Sequence, residues 1–105
     1  MPNFGLSSKN IHTVRQILVD YPAIEKAVIY GSRAKGTQKP GSDIDLTLFG
    51  EEITSAMLRQ ITARLHESAI PYTVDLSIYT ELDNVNLREH IDRVGRTFYA
   101  RDDAK

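Results

Sequence analysis

Three stretches of the chain carry apolar residues at the three- and four-residue spacing of a helix that is buried along one side. These stretches are residues 10–21, 54–68 and 87–94. Their repeating apolar positions are Ile11, Val14, Ile17, Leu18, Met57, Leu58, Ile61, Leu65, Leu87, Ile91 and Val94. Pro22 stops the first helix, and Asn86 and Gly95 are the predicted cap and end of the last one.

Short runs rich in β-branched and aromatic residues alternate with these helices and predict strands. The runs are residues 26–30, 43–49, 72–79 and a brief 97–99. Gly31 and Ser32 cut off the first run, as in a buried strand that ends in a tight turn. Residues 33–36 then predict one helical turn closed by Gly36.

Alternation within the second and third strands separates an apolar face from a polar one. The apolar face carries Ile44, Leu46, Leu48, Val74, Leu76 and Ile78. The polar face carries Asp43, Asp45 and Thr47 on one strand and Thr73, Asp75, Ser77 and Tyr79 on the other. Three aspartates are therefore predicted to emerge from the same side of the sheet.

The order of elements predicts an α/β (α+β) fold, in which a small mixed β-sheet has helices packed on one face. The other face is expected to be open and to carry the aspartates. A length of 105 residues with 41% hydrophobic content suits one domain over residues 1–105, and neither a repeat nor a linker interrupts it.

Charge and composition narrow the function. A formal net charge of −1 offers no broad cationic surface for a nucleic-acid backbone, so direct nucleic-acid binding is not expected. The chain contains no cysteine, which excludes a disulfide framework or a thiolate metal site. We find no leader and no membrane span, so a cytoplasmic location is predicted, with residues 101–105 frayed.

Aspartate is disfavoured in strands, and Asp43 and Asp45 crowd two negative charges onto one face. They can be solvated polar residues of a half-buried sheet. Alternatively, a hard divalent ion such as Mg²⁺ supplies the missing positive charge, because it prefers carboxylate, phosphate and water oxygens. With Asp75 on the neighbouring strand, the set suits two metal ions that support an in-line displacement, with Asp45 bridging them.

The turn after the first strand is the candidate phosphate site. Gly31 and Ser32 open toward a helix, a geometry that presents backbone N–H groups and a hydroxyl to an anion, although Gly-Ser alone is merely a turn. Arg33 is the third predicted phosphate-binding residue. Both Arg33 and Lys35 can instead be solvated surface cations.

Two segments together carry a family resemblance: Gly-Ser-Arg-Ala-Lys-Gly at 31–36 and Ser-Asp-Ile-Asp-Leu at 42–46. They resemble the signature of the DNA polymerase beta nucleotidyltransferase superfamily, and the chain looks most like its minimal nucleotidyltransferase branch. The resemblance covers nearly the whole chain, including the first helix and the closing segment 96–99.

The resemblance implies a polymerase-beta-like fold and Mg²⁺-dependent transfer of a nucleotide, with ATP as the expected substrate. It further implies triphosphate contacts from Gly31 and Ser32 and metal coordination by Asp43 and Asp45. Asp75 is implied as a third carboxylate that acts on the incoming hydroxyl.

Minimal nucleotidyltransferases similar to this chain pair with a helical toxin of the HEPN class and can inactivate it by adenylylating a tyrosine. The resemblance thus implies an antitoxin. Three other interpretations remain: an enzyme that modifies a small molecule such as an antibiotic, an antitoxin that acts by docking alone, and an RNase that uses Arg59 and His66 on one helical face. His12 and His90 are expected to be surface residues.

Overall fold

The computed structural model describes residues 3–101, which form a four-stranded sheet and four α-helices. The elements in chain order are α1 (Ser8–Val19), β1 (Lys26–Tyr30), α2 (Ser32–Lys35), β2 (Ile44–Phe49), α3 (Ser55–Glu67), β3 (Val74–Ile78), α4 (Val85–Val94) and β4 (Arg96–Ala100). A 3₁₀ turn at Tyr79–Glu81 joins β3 to the loop before α4. The predicted frayed end falls largely on residues 102–105, which lie outside the described residues.

The sheet has the strand order β3-β2-β1-β4, with β2 and β3 parallel and the other two pairings antiparallel. Because β2 and β3 are parallel, both begin at the same end of the sheet, where the antiparallel β1 ends. The starts of β2 and β3 and the turn after β1, which carry the predicted site residues, therefore lie together at this end. In the register, Asp45 lies beside Tyr30 on one side and beside Asp75 on the other.

The main core lies between one face of the sheet and the helices α1 and α3. The alternate residues of β2 that face it, Ile44, Leu46 and Leu48, are fully buried. Val14 and Leu18 of α1 and Ile61 and Leu65 of α3 pack against that face. Burial of each large aliphatic side chain contributes about 1.5–3 kcal/mol, which makes this layer the main stabilising contact of the fold.

Side-chain caps fix where three of the helices begin. Ser7 accepts a hydrogen bond from the N–H of Asn10, and Thr54 accepts one from the N–H of Met57. In α4 the cap is Asn84, which accepts from the N–H of Leu87, so the prediction that Asn86 caps this helix is wrong. The first two residues of α4, Val85 and Asn86, are exposed, so the buried apolar repeat begins only at Leu87.

The predicted fold class is confirmed, and the structure adds a layer that the sequence pattern did not reveal. Val28 and Tyr30 of β1 point away from the main core and pack with Ile91 of α4. The face that carries the aspartates is therefore partly covered by α4 rather than fully open as predicted. Among residues 3–101, no helix has the length and apolar character needed to cross a membrane.

Candidate active site

The three predicted aspartates lie on one face of the sheet, at the end where β2 and β3 begin. Asp43 directly precedes β2, while Asp45 and Asp75 are the second residues of their strands and are register partners. Neighbouring strands run about 4.8 Å apart, so the two carboxylates stand side by side. Asp43 and Asp75 are exposed, and Asp45 is half-buried between them.

The electrostatics of Asp45 reflect this crowding. Burial raises the pKa of its carboxyl group, and the negative charges of Asp75 and then Asp43 raise it further. The positive charge of Arg33 acts in the opposite direction without cancelling the increase. Asp45 is therefore affected more strongly by the negative charges of its neighbours than by the positive charge of Arg33.

Gly31 brings the predicted phosphate turn against this carboxylate. Its backbone has φ of 76° and ψ of −155°, a conformation that is accessible essentially only to glycine. A Cβ atom at this position would also collide with Oδ2 of Asp45. The Gly31 backbone and the Asp45 carboxylate are therefore neighbours, and any side chain at position 31 would push them apart.

The helical turn α2 follows directly and confirms the element predicted at 33–36, beginning one residue earlier. Gly36 ends it in the left-handed conformation with φ of 77°. Because α2 begins at Ser32, its first backbone N–H groups have no acceptor within the helix and are available to an anion. Ser32 is half-buried, and Lys35 is exposed.

Arg33 does not occupy the position that phosphate binding predicts. The side chain is 3% exposed and turns into the protein, where Nη1 donates to the carbonyl of Phe4 at 2.8 Å and Nη2 donates to that of Ser42 at 2.7 Å. Its guanidinium carbon also lies 4.5 Å from the ring centroid of Tyr72. These contacts favour a structural role for Arg33 over direct contact with a phosphate.

Tyr30 forms part of the site, which sequence reasoning missed. The side chain is 7% exposed. Burial raises the pKa of its phenol, Ser77 lowers it, and the charges of Asp45 and Asp75 raise it further, so the hydroxyl lies near these three residues. Strand alternation places Tyr30 on the same face of β1 as Val28. Only the pairing of Tyr30 with Asp45 shows that this is the aspartate face.

Two other contacts support the same face. Ser77 donates a hydrogen bond of 2.9 Å to the hydroxyl of Thr47, which is fully buried. His90 of α4 is half-buried and meets Tyr30 edge to face, with ring centroids 6.2 Å apart. It is therefore not the isolated surface residue that was predicted, because α4 lies over this part of the sheet.

The alternative pair, Arg59 and His66, lies elsewhere. Both residues are exposed on α3 and line one shallow groove with Leu58, Thr62 and Ala63. The helix α3 packs on the main-core side of the sheet. The pair is thus separated by the sheet from the aspartates and from the Gly31 turn.

The donor set fits a divalent cation that is completed by substrate. Within residues 3–101, no three His, Asp or Glu side chains already surround a common point. Mg²⁺ does not require such a cage, because it usually takes one or two protein carboxylates together with water and substrate phosphates. Hard oxygen donors, surplus negative charge at Asp45 and the adjacent Gly31 turn match those requirements.

Solved structures share this fold. One is a chain of a toxin–antitoxin complex with AMP-PNP, at 23% identity and a TM-score of 0.72, over 90% of this chain and 78% of that one. Another comes from a complex of a tri-AMPylated Shewanella oneidensis HEPN toxin with an MNT antitoxin, at 18% identity and a TM-score of 0.68, over 94% and 78%. A third, from a MntA–HepT complex, shows 17% identity and a TM-score of 0.67, over 93% and 76%.

No curated protein matches the chain. A family model described as polymerase beta, nucleotidyltransferase, matches residues 12–104, a span that includes the Gly31 turn and all three aspartates. The chain belongs to the polymerase beta nucleotidyltransferase family.

Proposed function

We propose that this protein transfers AMP from ATP to a tyrosine hydroxyl of a HEPN-type toxin and thereby acts as its antitoxin in the cytoplasm. The observation that carries the proposal is the contact between the Gly31 turn and Asp45, flanked by Asp43 and Asp75 on the same face. This arrangement places a phosphate-binding backbone beside carboxylates that suit a divalent cation.

The binding roles follow from position. Gly31 and Ser32 would hold the triphosphate through backbone N–H groups and the serine hydroxyl. Asp43 and Asp45, which share their face with Asp75, would hold Mg²⁺ through their carboxylate oxygens. Bound Mg²⁺ would supply positive charge that stabilises the developing negative charge on the phosphates.

The transfer step is a displacement at the α-phosphorus of ATP. The acceptor oxygen forms a bond to that phosphorus as the bond to the bridging oxygen of the β-phosphate breaks, and pyrophosphate leaves. Asp75 is exposed on the edge strand β3, beside Asp45, where an incoming hydroxyl has access. Its carboxylate would accept the proton that the hydroxyl loses.

The acceptor assignment is supported by the similar solved structures. One of them contains AMP-PNP and another an AMPylated HEPN toxin in complex with its MNT antitoxin. The open approach to Asp75 suits a protein surface that brings its own hydroxyl.

Intact-mass spectrometry of the tagged protein with its co-purifying partner tests the proposal. After incubation with Mg²⁺ and ATP, the partner should gain AMP in multiples of one nucleotide. The Asp43→Asn/Asp45→Asn double variant should bind the same partner and leave its mass unchanged.

A partner that is bound by both proteins and never gains mass would contradict transfer and favour neutralisation by docking alone. Transfer of AMP to a small molecule from an added host extract, with no AMP gained by any protein, would instead favour a small-molecule nucleotidyltransferase.

A further inference from the structure

Arg33 is a buried cation whose hydrogen bonds go to backbone carbonyls. Nη1 donates to the carbonyl of Phe4 and Nη2 to that of Ser42. The Nε atom also lies 3.2 Å from the carbonyl oxygen of Ser42 and 3.3 Å from that of Asp43. Within residues 3–101, no carboxylate forms an ion pair with this guanidinium. The guanidinium is therefore held in place by hydrogen bonds to main-chain carbonyls. Lysine could not form the same set of bonds, because it lacks the planar group of five N–H donors.

These contacts join the segments that lead into the aspartate strands. Ser42 and Asp43 deliver the chain to β2, while Tyr72 lies on the segment that enters β3 and stacks against the guanidinium. The Arg33 backbone belongs to α2, directly after Gly31 and Ser32. One side chain thus connects the phosphate turn with the starts of both strands that carry the carboxylates.

A fourth connection reaches the N-terminal segment. Phe4 gives its carbonyl to Arg33 and its ring to the main core, where it packs against Phe98 with ring centroids 6.1 Å apart. Arg33 is consequently connected to the packed main core as well as to residues 42 and 43.

We propose that Arg33 is a positioning residue, which sets the distance between the Asp43 and Asp45 carboxylates and the Gly31 turn and thereby sets the affinity of the site for a divalent cation. The inference rests on the proposed function for its metal site. It assigns Arg33 a role through backbone contacts, without direct contact to the nucleotide.

Mn²⁺ titration of the protein, alone and with a non-hydrolysable ATP analogue, followed by electron paramagnetic resonance, measures this affinity without activity. Arg33→Lys and Arg33→Gln should each raise the Mn²⁺ dissociation constant by about tenfold or more, as loss of groups that orient metal ligands commonly does. The backbone amide signals of Asp43 and Asp45 should shift in the metal-free protein as well. Arg33→Lys should behave like Arg33→Gln in both measurements, because lysine keeps the positive charge but lacks the planar guanidinium that donates to several carbonyls.

Arg15 is a matched control. Its Nε donates to the carbonyl of Phe98 at 3.0 Å, and its guanidinium carbon lies 5.3 Å from the Phe98 ring, on the side of the sheet away from the aspartates. Arg15→Gln should lower the melting temperature and leave Mn²⁺ affinity unchanged, which separates positioning from general stability.

Tyr72→Leu removes the stacked ring while keeping Arg33, and it should weaken Mn²⁺ binding in the same direction. A folded Arg33 variant with wild-type Mn²⁺ affinity and unshifted Asp43 and Asp45 amides would overturn the proposal. If the Arg33 variants do not fold, wild-type Mn²⁺ affinity in Tyr72→Leu would overturn it.

The failure of the proposed function has a different signature. A wild-type chain that binds Mn²⁺ with Arg33-dependent affinity, but transfers no nucleotide to any partner, would contradict the enzymatic function alone. A wild-type chain that binds Mn²⁺ neither alone nor with a non-hydrolysable ATP analogue would overturn both.

Discussion

Asp45 sits where the negative charges of the site converge. It is half-buried, its register partner is Asp75, and Asp43 precedes it by two positions on the same face. Burial and these two charges raise the pKa of its carboxyl group. At neutral pH the folded chain without a cation must therefore tolerate an ionised group that its surroundings disfavour.

We expect Asp45→Asn to make the metal-free protein more stable at pH 7, by about 0.5 kcal/mol, since it removes one member of a like-charge pair. The folded-state pKa is raised, so the contribution of Asp45 to wild-type stability should fall as pH increases from about 4 through that pKa. Below about pH 4 the difference between the two proteins should vanish. Urea unfolding at several pH values measures both effects.

Asp20→Asn serves as the charge-matched control, because Asp20 is exposed and pairs with Arg64 at 2.7 Å. It should show no gain in stability at pH 7. An Asp45→Asn protein that is less stable than wild type at pH 7 without metal would contradict the electrostatic account.

Gly31→Ala tests the contact between the turn and the carboxylate. The substitution should cost about 1–3 kcal/mol of stability because of the backbone conformation, and it should abolish nucleotide transfer because the new Cβ displaces Asp45. Gly36→Ala is the control. Gly36 also has positive φ, but open space surrounds its Cβ position.

Gly36→Ala should therefore lower stability by about 1–2 kcal/mol and retain transfer. Thermal unfolding and a transfer assay under the same conditions compare the two variants. Equal transfer by both alanine variants would show that Gly31 matters only for the backbone.

Strands and caps differ in how well the sequence revealed them. The alternation in β2 and β3 predicted which face carries Asp43, Asp45 and Asp75, because period-two patterning fixes side-chain direction. Helix α4 begins with Val85, which is 67% exposed, so the apolar repeat starts only at Leu87. The repeat consequently indicated a cap two residues too late.

The corrected cap gives a test at the level of the element. Asn84→Ala should destabilise the protein by about 1 kcal/mol, because the N–H of Leu87 loses its acceptor. Asn86→Ala should be neutral or slightly stabilising, since alanine has the higher helix propensity. Chemical unfolding of both variants decides, and a larger loss for Asn86→Ala would contradict the assignment.

For the whole molecule, local patterns predicted the fold class but not the placement of its layers. The prediction of α/β architecture followed from element order, whereas the packing of Ile91 on Val28 and Tyr30 depends on where the loop after β3 sends α4. Arg33 shows the same limit. Its carbonyl partners at Phe4 and Ser42 are distant in sequence or lie in a loop, so only the folded chain reveals them.

The placement of α4 also has a consequence for function. It covers part of the aspartate face and puts His90 against Tyr30, close to Asp45. In the proposed reaction the acceptor would approach over the edge strand β3, where Asp75 is exposed. An exposed carboxylate on an edge strand suits the proposed docking of a partner protein along β3.

The most direct test of nucleotide transfer compares ATP labelled at the α-phosphate with ATP labelled at the γ-phosphate, using the purified complex and Mg²⁺. The account predicts that the partner acquires label from α-labelled ATP alone, and that Asp45→Asn abolishes this labelling while the complex stays intact. Label from γ-labelled ATP, or α-label that persists in folded Asp45→Asn, would contradict nucleotide transfer at these aspartates.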